Sequence, residues 1–223
     1  MLEHPAAHDA AQRRTEELAG GIHPHCRAFA ACPAAPLPAR LRAGDTAIWI
    51  FDLGQSQVCL AGATLTAAGG ERLTISYAEK LRDGELLLSD PETYCRMRPS
   101  DIFHLRPGAQ TAEPFSQRGG RYVIFRLDAV ADCAHDPAFF ARTSRAALVE
   151  RPLPAQGDAV LDAVAAICAR TTRACLQDGF VDSIWRESSQ WLGDVVAQAF
   201  ALQAISDDPR PLDEQSHDPA TRT

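Results

Sequence analysis

The chain has a single lysine, Lys80, so arginine carries nearly all of its positive charge. Acidic residues outnumber basic ones, the formal net charge is −7, and no run is rich in Lys or Arg. Binding to nucleic acid or to an anionic membrane surface needs a basic patch, so neither is expected as a partner. Long apolar runs are missing as well: nothing approaches the ~18 apolar residues of a membrane span. The first twenty residues, Met1 to Gly20, lack the apolar centre of a secretory signal, which predicts a cytoplasmic location. Paired cysteine spacing is also absent. The seven cysteines (Cys26, Cys32, Cys59, Cys95, Cys133, Cys168 and Cys175) are odd in number and follow no disulfide framework, so they are expected as reduced thiols. His23, His25, Cys26 and Cys32 cluster in sequence, but their spacing fits no common zinc pattern, and no metal or other cofactor is implied. There is no glycine-rich phosphate loop; Gly69-Gly70 and Gly119-Gly120 read as hairpin turns.

What remains is an ordinary globular composition, 46% apolar and 23% charged, in 223 residues, enough for a substantial core. Residues 1–45 are rich in Ala, Pro and His and read as a leader or linker, partly disordered, with a candidate short helix over Ala10–Leu18. Pro33, Pro36 and Pro38 interrupt the chain there. Residues 46–135 carry strand signals. Ile48–Phe51 is a short apolar run and Val58–Thr66 is β-rich. Leu73, Ile75 and Tyr77 alternate with Thr74 and Ser76 at a period of two. Asp83-Gly84 marks a turn before Glu85–Ser89, and Ile102–Leu105 and Arg121–Leu127 are further strands. Short strands separated by turn signals predict an antiparallel β-sandwich.

After Asp136-Pro137 the pattern changes. Residues 136–156 read as a connector containing Pro152 and Pro154. Residues 157–205 read as helical: Asp158 is the expected N-cap of a helix carrying Val160, Val164, Ile167, Cys168 and Cys175 on one side. Asp178-Gly179 ends that helix. Ser189 is the expected cap of a second one, with Leu192, Val195, Val196, Ala199 and Phe200 as its apolar face. Residues 206–223 hold three prolines, several acids and few apolar groups, and read as a disordered tail.

Between the two helices, residues 182–194 pack three carboxylates (Asp182, Glu187, Asp194), the Arg186 guanidinium and two indoles (Trp185, Trp191) into thirteen positions. Sugar cleavage uses just these types: carboxyl groups for acid–base work, Asp and Arg for hydroxyls, and aromatic faces for the apolar side of a ring. Trp191 and Asp194, three apart, fall on one helix face. Glu187 falls just before the helix, where a neighbouring indole would shield its carboxyl. The same residues also fit a plainer role, in which acids favour a helix N-terminus through its dipole and the tryptophans belong to a core. Elsewhere, Glu79 and Asp83 fit a turn, and His104 fits a satisfied core histidine. Ser188 and Ser189 have no histidine nearby and fit caps better than nucleophiles.

The stretch QDGFVDSIWRESSQWLGD resembles the signature of the bacterial α-L-rhamnosidases, an Asp-Cys-Pro-x-Arg-Glu-Arg-x-x-Trp-x-Gly-Asp pattern joining two helices of an (α/α)6 barrel. Phe51-Asp52-Leu53-Gly54, the run from Ile75 to Gly84, Leu105-Arg106-Pro107-Gly108 and Gly119-Gly120-Arg121-Tyr122-Val123 resemble that family's β-sandwich, in the same order. The resemblance covers roughly Asp45 to Ile205. It implies a mixed β and α fold: a sandwich followed by the first helical hairpin of a six-hairpin glycosidase barrel. It also implies inverting hydrolysis of terminal α-L-rhamnosides, with a rhamnose-containing glycoside as substrate. Glu187 falls at the general acid, Asp182, Arg186 and Asp194 at groups binding sugar hydroxyls, and Trp191 at an indole walling the sugar site.

Two departures stand out. Ser183-Ile184 replaces Cys-Pro and Ser188 replaces Arg, changes expected to loosen the loop and remove a charge beside Glu187. Twelve barrel helices of ~11–12 residues need over ~130 residues, whereas 66 follow Gly157. The family's general base, which comes from a later helix, thus has no expected counterpart, and Asp207, Asp208 and Asp213 lie in the expected tail. The expectation is a truncated glycosidase-like chain, inactive alone or dependent on self-association or a complementing chain. The rival from another class is a carbohydrate-binding or interaction module without catalysis.

Overall fold

The computed structural model describes residues 39–82, 85–86, 100–143, 146, 148–177 and 179–212. Asp83-Gly84, Asp213, Cys26, Cys32, Cys95, the His/Cys group and the candidate helix near the N-terminus lie outside them. The chain divides into two compact units, Met1–Thr143 and Ser144–Thr223.

The first unit is an antiparallel β-sandwich. Its strands are β1 (Ala39–Leu41), β2 (Thr46–Ala67), β3 (Arg72–Ala78), β4 (Leu81–Arg82), β5 (Glu85–Leu86), β6 (Ser100–His104), β7 (Gly108–Ala112), β8 (Arg118–Asp128), β9 (Cys133–His135) and β10 (Ala138–Thr143). The main sheet runs β10-β2-β8-β3-β6, with β7 added to β2; β1 pairs with β9 and β4 with β5. The two apolar runs expected as separate strands are one 22-residue strand, β2. Its register against β8 shifts between Asp52 and Gln57. Gly54 takes a positive φ of 77° there, and its N–H donates to Asp52 Oδ1 at 2.7 Å. Such an irregularity bends a strand and increases its twist.

Both faces of the first half of β2 are buried. Trp49 and Phe51 join Phe125 and Phe139 in an aromatic cluster, with Phe125 and Phe139 centroids 4.4 Å apart. Ile48 and Ile50 pack on the other side with Ala78, Tyr122 and Ile124. The alternation in β3 does not separate core from solvent. Thr74 and Ser76 are buried too, and the Ser76 hydroxyl lies 2.8 Å from that of Ser100 across the β3–β6 pair. β3 itself is an interior strand, between β8 and β6.

Several local expectations change. Gly69 and Gly70 do turn the chain, both with positive φ. Gly119 and Gly120, by contrast, lie within β8, opposite Val58 and Gln57. A Cβ at Gly120 would sit 3.2 Å from both Tyr77 Cβ and the Ala78 carbonyl, so close packing of strands explains this glycine. His104 ends β6 and is exposed, while His135 is the fully buried histidine. Glu79 follows β3 and is exposed. The expected connector begins with a strand, since Ala138–Thr143 pairs along Thr64–Cys59. The expected leader contributes β1.

The second unit holds α1 (Ala159–Cys175) and α2 (Leu192–Ile205). Asp158 caps α1 as expected, its Oδ1 accepting the N–H groups of Val160 and Leu161 at 2.8 and 3.1 Å. The core comprises Ala169, Leu176, Phe180, Leu202 and Ile205, with Leu148, Leu153, Val195 and Leu212 partly buried against it. Much of the apolar stripe of each helix is on the outside. Val160, Val164 and Ile167 of α1 are exposed, as are Leu192, Val196 and Phe200 of α2. Two helices packed together cover one stripe of each.

Residues 206–212 of the expected disordered tail are ordered. Ser206 is buried, and its hydroxyl donates to the Val149 carbonyl at 2.8 Å. The Arg151 N–H donates to the Ile205 carbonyl at 2.9 Å, and its guanidinium pairs with Asp207 at 2.5 Å. A cation over the last carbonyls of a helix suits the dipole. No helix among the described residues is long and apolar enough to cross a membrane.

Candidate active site

The acidic corner is a closed loop tied at its ends to the two helices. The Val181 N–H donates to the Cys175 carbonyl at 2.8 Å, and the Gln198 amide of α2 donates to the Val181 carbonyl at 2.7 Å. Asp182 and Ser189 then clasp each other. The Asp182 N–H donates to the Ser189 carbonyl and the Ser189 N–H to Asp182 Oδ1, both at 2.9 Å. This short closure forces a sharp turn between them. Ser188 sits in the left-handed region at φ 49°, the one non-glycine residue to do so among those described.

Ser183 ties the loop internally. Its hydroxyl donates to Asp182 Oδ2 at 3.2 Å and accepts the Glu187 N–H at 3.1 Å. The expectation that serine here loosens the loop is therefore corrected: the hydroxyl bridges a side chain and a backbone five positions apart. Ser189 is not the cap of α2. Trp191 occupies that position without a side-chain cap bond, and the Ser189 hydroxyl donates to the Glu187 carbonyl at 3.2 Å. From the sequence, Ser189 reads only as a cap and Ser183 only as a loosening replacement. The signal for the clasp was an Asp followed at seven residues by a Ser, a pattern without meaning until the turn is known.

Four of the five expected site residues come together. The Glu187 carboxyl accepts the Trp191 indole N–H on Oε2 at 3.0 Å, and Arg186 Nη2 lies 3.3 Å from Oε1. The Glu187 side chain is about three-quarters shielded, at 25% exposure, while Arg186 is nearly half-exposed. Trp191 is 53% exposed, so its ring is not part of a core. Burial pushes the Asp182 carboxyl up, but the N–H groups of Ser189 and Ser183, the Ser183 hydroxyl and a side-chain hydrogen bond with Glu187 together outweigh it. The net effect holds Asp182 below the usual carboxylate range. Asp194 stands apart in the first turn of α2, exposed, with its N–H on the Trp191 carbonyl at 3.1 Å. Trp185 is half-buried in the turn.

No group of three or more His, Cys, Asp or Glu side chains among the described residues is arranged to hold a metal ion. Cys59, Cys133, Cys168 and Cys175 form no disulfide.

No family model matches the sequence, and no curated protein is similar to it. Solved structures do match. A GH78-family rhamnosidase of Bacillus sp. GL1 superposes with a TM-score of 0.68 at 24% identity, over 82% of this chain and 19% of that protein. The fold is rhamnosidase-like. A rhamnosidase from Klebsiella oxytoca, solved with rhamnose bound, matches with a TM-score of 0.58 at 16% identity, over 92% of this chain and 45% of that protein. The α-L-rhamnosidase from Dictyoglumus thermophilum gives 0.54 at 14% identity, over 76% and 19%. The chain thus spans less than half the length of each solved protein. The match supports a sandwich followed by the beginning of a helical region, as the sequence resemblance implied.

Proposed function

We propose that this chain carries the acid-bearing corner of a glycosidase that hydrolyses terminal α-L-rhamnosides with inversion. One observation supports the reading most directly. Glu187 and Trp191 share a hydrogen bond inside a loop closed by Asp182, and the indole ring is open to a ligand. In this reading Glu187 protonates the leaving oxygen, and Trp191 presents its face to the apolar side of the sugar. Arg186 and Asp194, both exposed, bind hydroxyls. Asp182 binds through lone pairs not already used by Ser183 and Ser189; a carboxylate offers about four.

Inversion needs a second carboxylate roughly 6.5–9.5 Å from the first, acting through water. We assign no residue of this chain to that role. Asp207 is paired with Arg151 and Asp208 with Arg210. The base is proposed to come from a complementing chain, which would also cover the open apolar stripes of α1 and α2, where Leu192 is 80% and Phe200 69% exposed.

The test is turnover of an aryl α-L-rhamnoside by the purified chain, with rhamnose binding measured alongside. The expected result is rhamnose binding weakened by Asp194→Asn, with little or no turnover. Brisk hydrolysis abolished by Glu187→Gln would overturn the missing base. Glycan binding indifferent to Glu187→Gln and Asp182→Asn, without hydrolysis, would instead favour a binding module.

A further inference from the structure

We propose that Trp191 and Ser183 are positioning residues that aim the Glu187 carboxyl from its two ends; this deepens the reading of Glu187 as the acid and rests on it. At the carboxyl end, the indole N–H engages Oε2 at 3.0 Å. Indole nitrogen is a donor only, so this contact fixes the carboxyl in the direction of a ring set one turn along the chain. At the backbone end, the Glu187 N–H is held by the Ser183 hydroxyl at 3.1 Å. A hydroxyl has one proton to donate, and Ser183 gives it to Asp182 Oδ2 at 3.2 Å. Asp182 is in turn anchored by the Ser189 N–H at 2.9 Å.

The result is an unbroken series from Trp191 through Glu187 and Ser183 to Asp182 and Ser189. It leaves Oε1, which faces the half-exposed Arg186 guanidinium at 3.3 Å, as the oxygen not taken by the indole. The other charged groups around Glu187 are Arg186, at the longer distance of 3.3 Å and partly in solvent, and Asp182. Neither fixes the carboxyl plane as the indole does. The Trp191 ring is thereby given a second task beside offering its face to a ligand: its nitrogen edge orients the acid.

The indole N–H is also the reporter. The chain has three tryptophans, Trp49, Trp185 and Trp191. The Trp191 indole resonance in a proton–nitrogen NMR spectrum is identified by its loss in Trp191→Phe. Titrated with acid, that resonance is expected to move as Glu187 gains its proton, and the movement is expected to vanish in Glu187→Gln. In Ser183→Ala the resonance is expected to broaden or split, because Glu187 loses its backbone anchor. If the complemented enzyme turns over, Trp191→Phe is expected to lower kcat about tenfold or more with little change in KM, as misplacing a catalytic group does. A resonance that stays still with pH, or moves equally in Glu187→Gln, overturns the proposal whatever hydrolysis shows. A moving resonance in a chain that neither binds nor cleaves rhamnosides supports the clasp and removes the functional reading, so the two can fail separately.

Discussion

The indole of Trp49 lies 5.0 Å, centroid to centroid, from the ring of Phe139, although β10 pairs Phe139 with Ala63 and not with Trp49. Trp49 and Ala63 are on the same strand, fourteen positions apart. A straight strand would separate them by roughly 46 Å. Contact between Phe139 and Trp49 therefore requires β2 to bend strongly, and the register shift around Gly54 is an irregularity on that path. Phe139 is the residue that closes the two halves, also touching Phe51 at 5.2 Å and Phe125 at 4.4 Å. Phe139→Ala is expected to destabilise the sandwich by about 3–5 kcal/mol, and Phe139→Leu by clearly less. Denaturant unfolding followed by tryptophan fluorescence measures both. A loss under about 1 kcal/mol for Phe139→Ala would show that the halves are held elsewhere.

Glu71 links the β2–β3 turn to acid stability. It is fully buried, and its carboxylate accepts the N–H groups of Ala68 and Gly69 at 2.7 Å each. His135, also fully buried, lies 3.9 Å away. Burial pushes the Glu71 carboxyl up. The backbone donors and His135 outweigh it and hold the carboxyl below its ordinary value. A group whose folded pKa is depressed contributes stability above the unfolded value, and that contribution fades as pH falls through the folded one. The chain is therefore expected to lose stability below about pH 4.5. Glu71→Gln is expected to cost about 1–3 kcal/mol at neutral pH, because an amide NH2 then faces one of the two N–H donors. That cost is expected to shrink toward pH 3. A cost independent of pH across urea melts would contradict the assignment.

Ser188 holds a φ of 49° that side chains tolerate poorly, and β-branched ones worst. Ser188→Val is expected to destabilise the helical unit by about 1–2 kcal/mol, and Ser188→Gly to stay within about 1 kcal/mol of the parent. Thermal melts decide between them. Equal stability of the valine variant would mean that the turn opens at low cost.

Phe200 and Leu192 are exposed on α2, so their replacement removes no core contact. The double variant Leu192→Gln, Phe200→Gln is expected to melt within about 0.5 kcal/mol of the parent. If the stripe is where chains meet, it is also expected to run as a smaller species in size-exclusion chromatography at high concentration. Identical elution of parent and variant as monomers would show that this stripe drives no self-association.

The outline of the protein is written in local chemistry. A period-two segment marked the strand around Leu73, and a β-rich run after Gly119-Gly120 marked the one around Phe125. Asp158 announced the start of α1, because a cap satisfies backbone donors a few residues away. The density of acids and indoles over residues 182–194 singled out the corner for the same reason: the residue types are informative before any folding. What local chemistry does not carry is long-range closure. Nothing in residues 46–67 alone says that one strand serves both halves of a sandwich, since the bend is held by Phe139 from a distant strand. Gly119-Gly120 has the composition of a turn and lies in a strand because Tyr77 packs against it. The apolar stripes of α1 and α2 are legible in the sequence, yet which side of a helix is covered depends on how many neighbours it has. Ser183 shows the difference at the site itself. Its hydroxyl has value only once the turn brings the Asp182 carboxylate and the Glu187 N–H within 3.2 Å of one oxygen, and tertiary closure makes that meeting, not residue type.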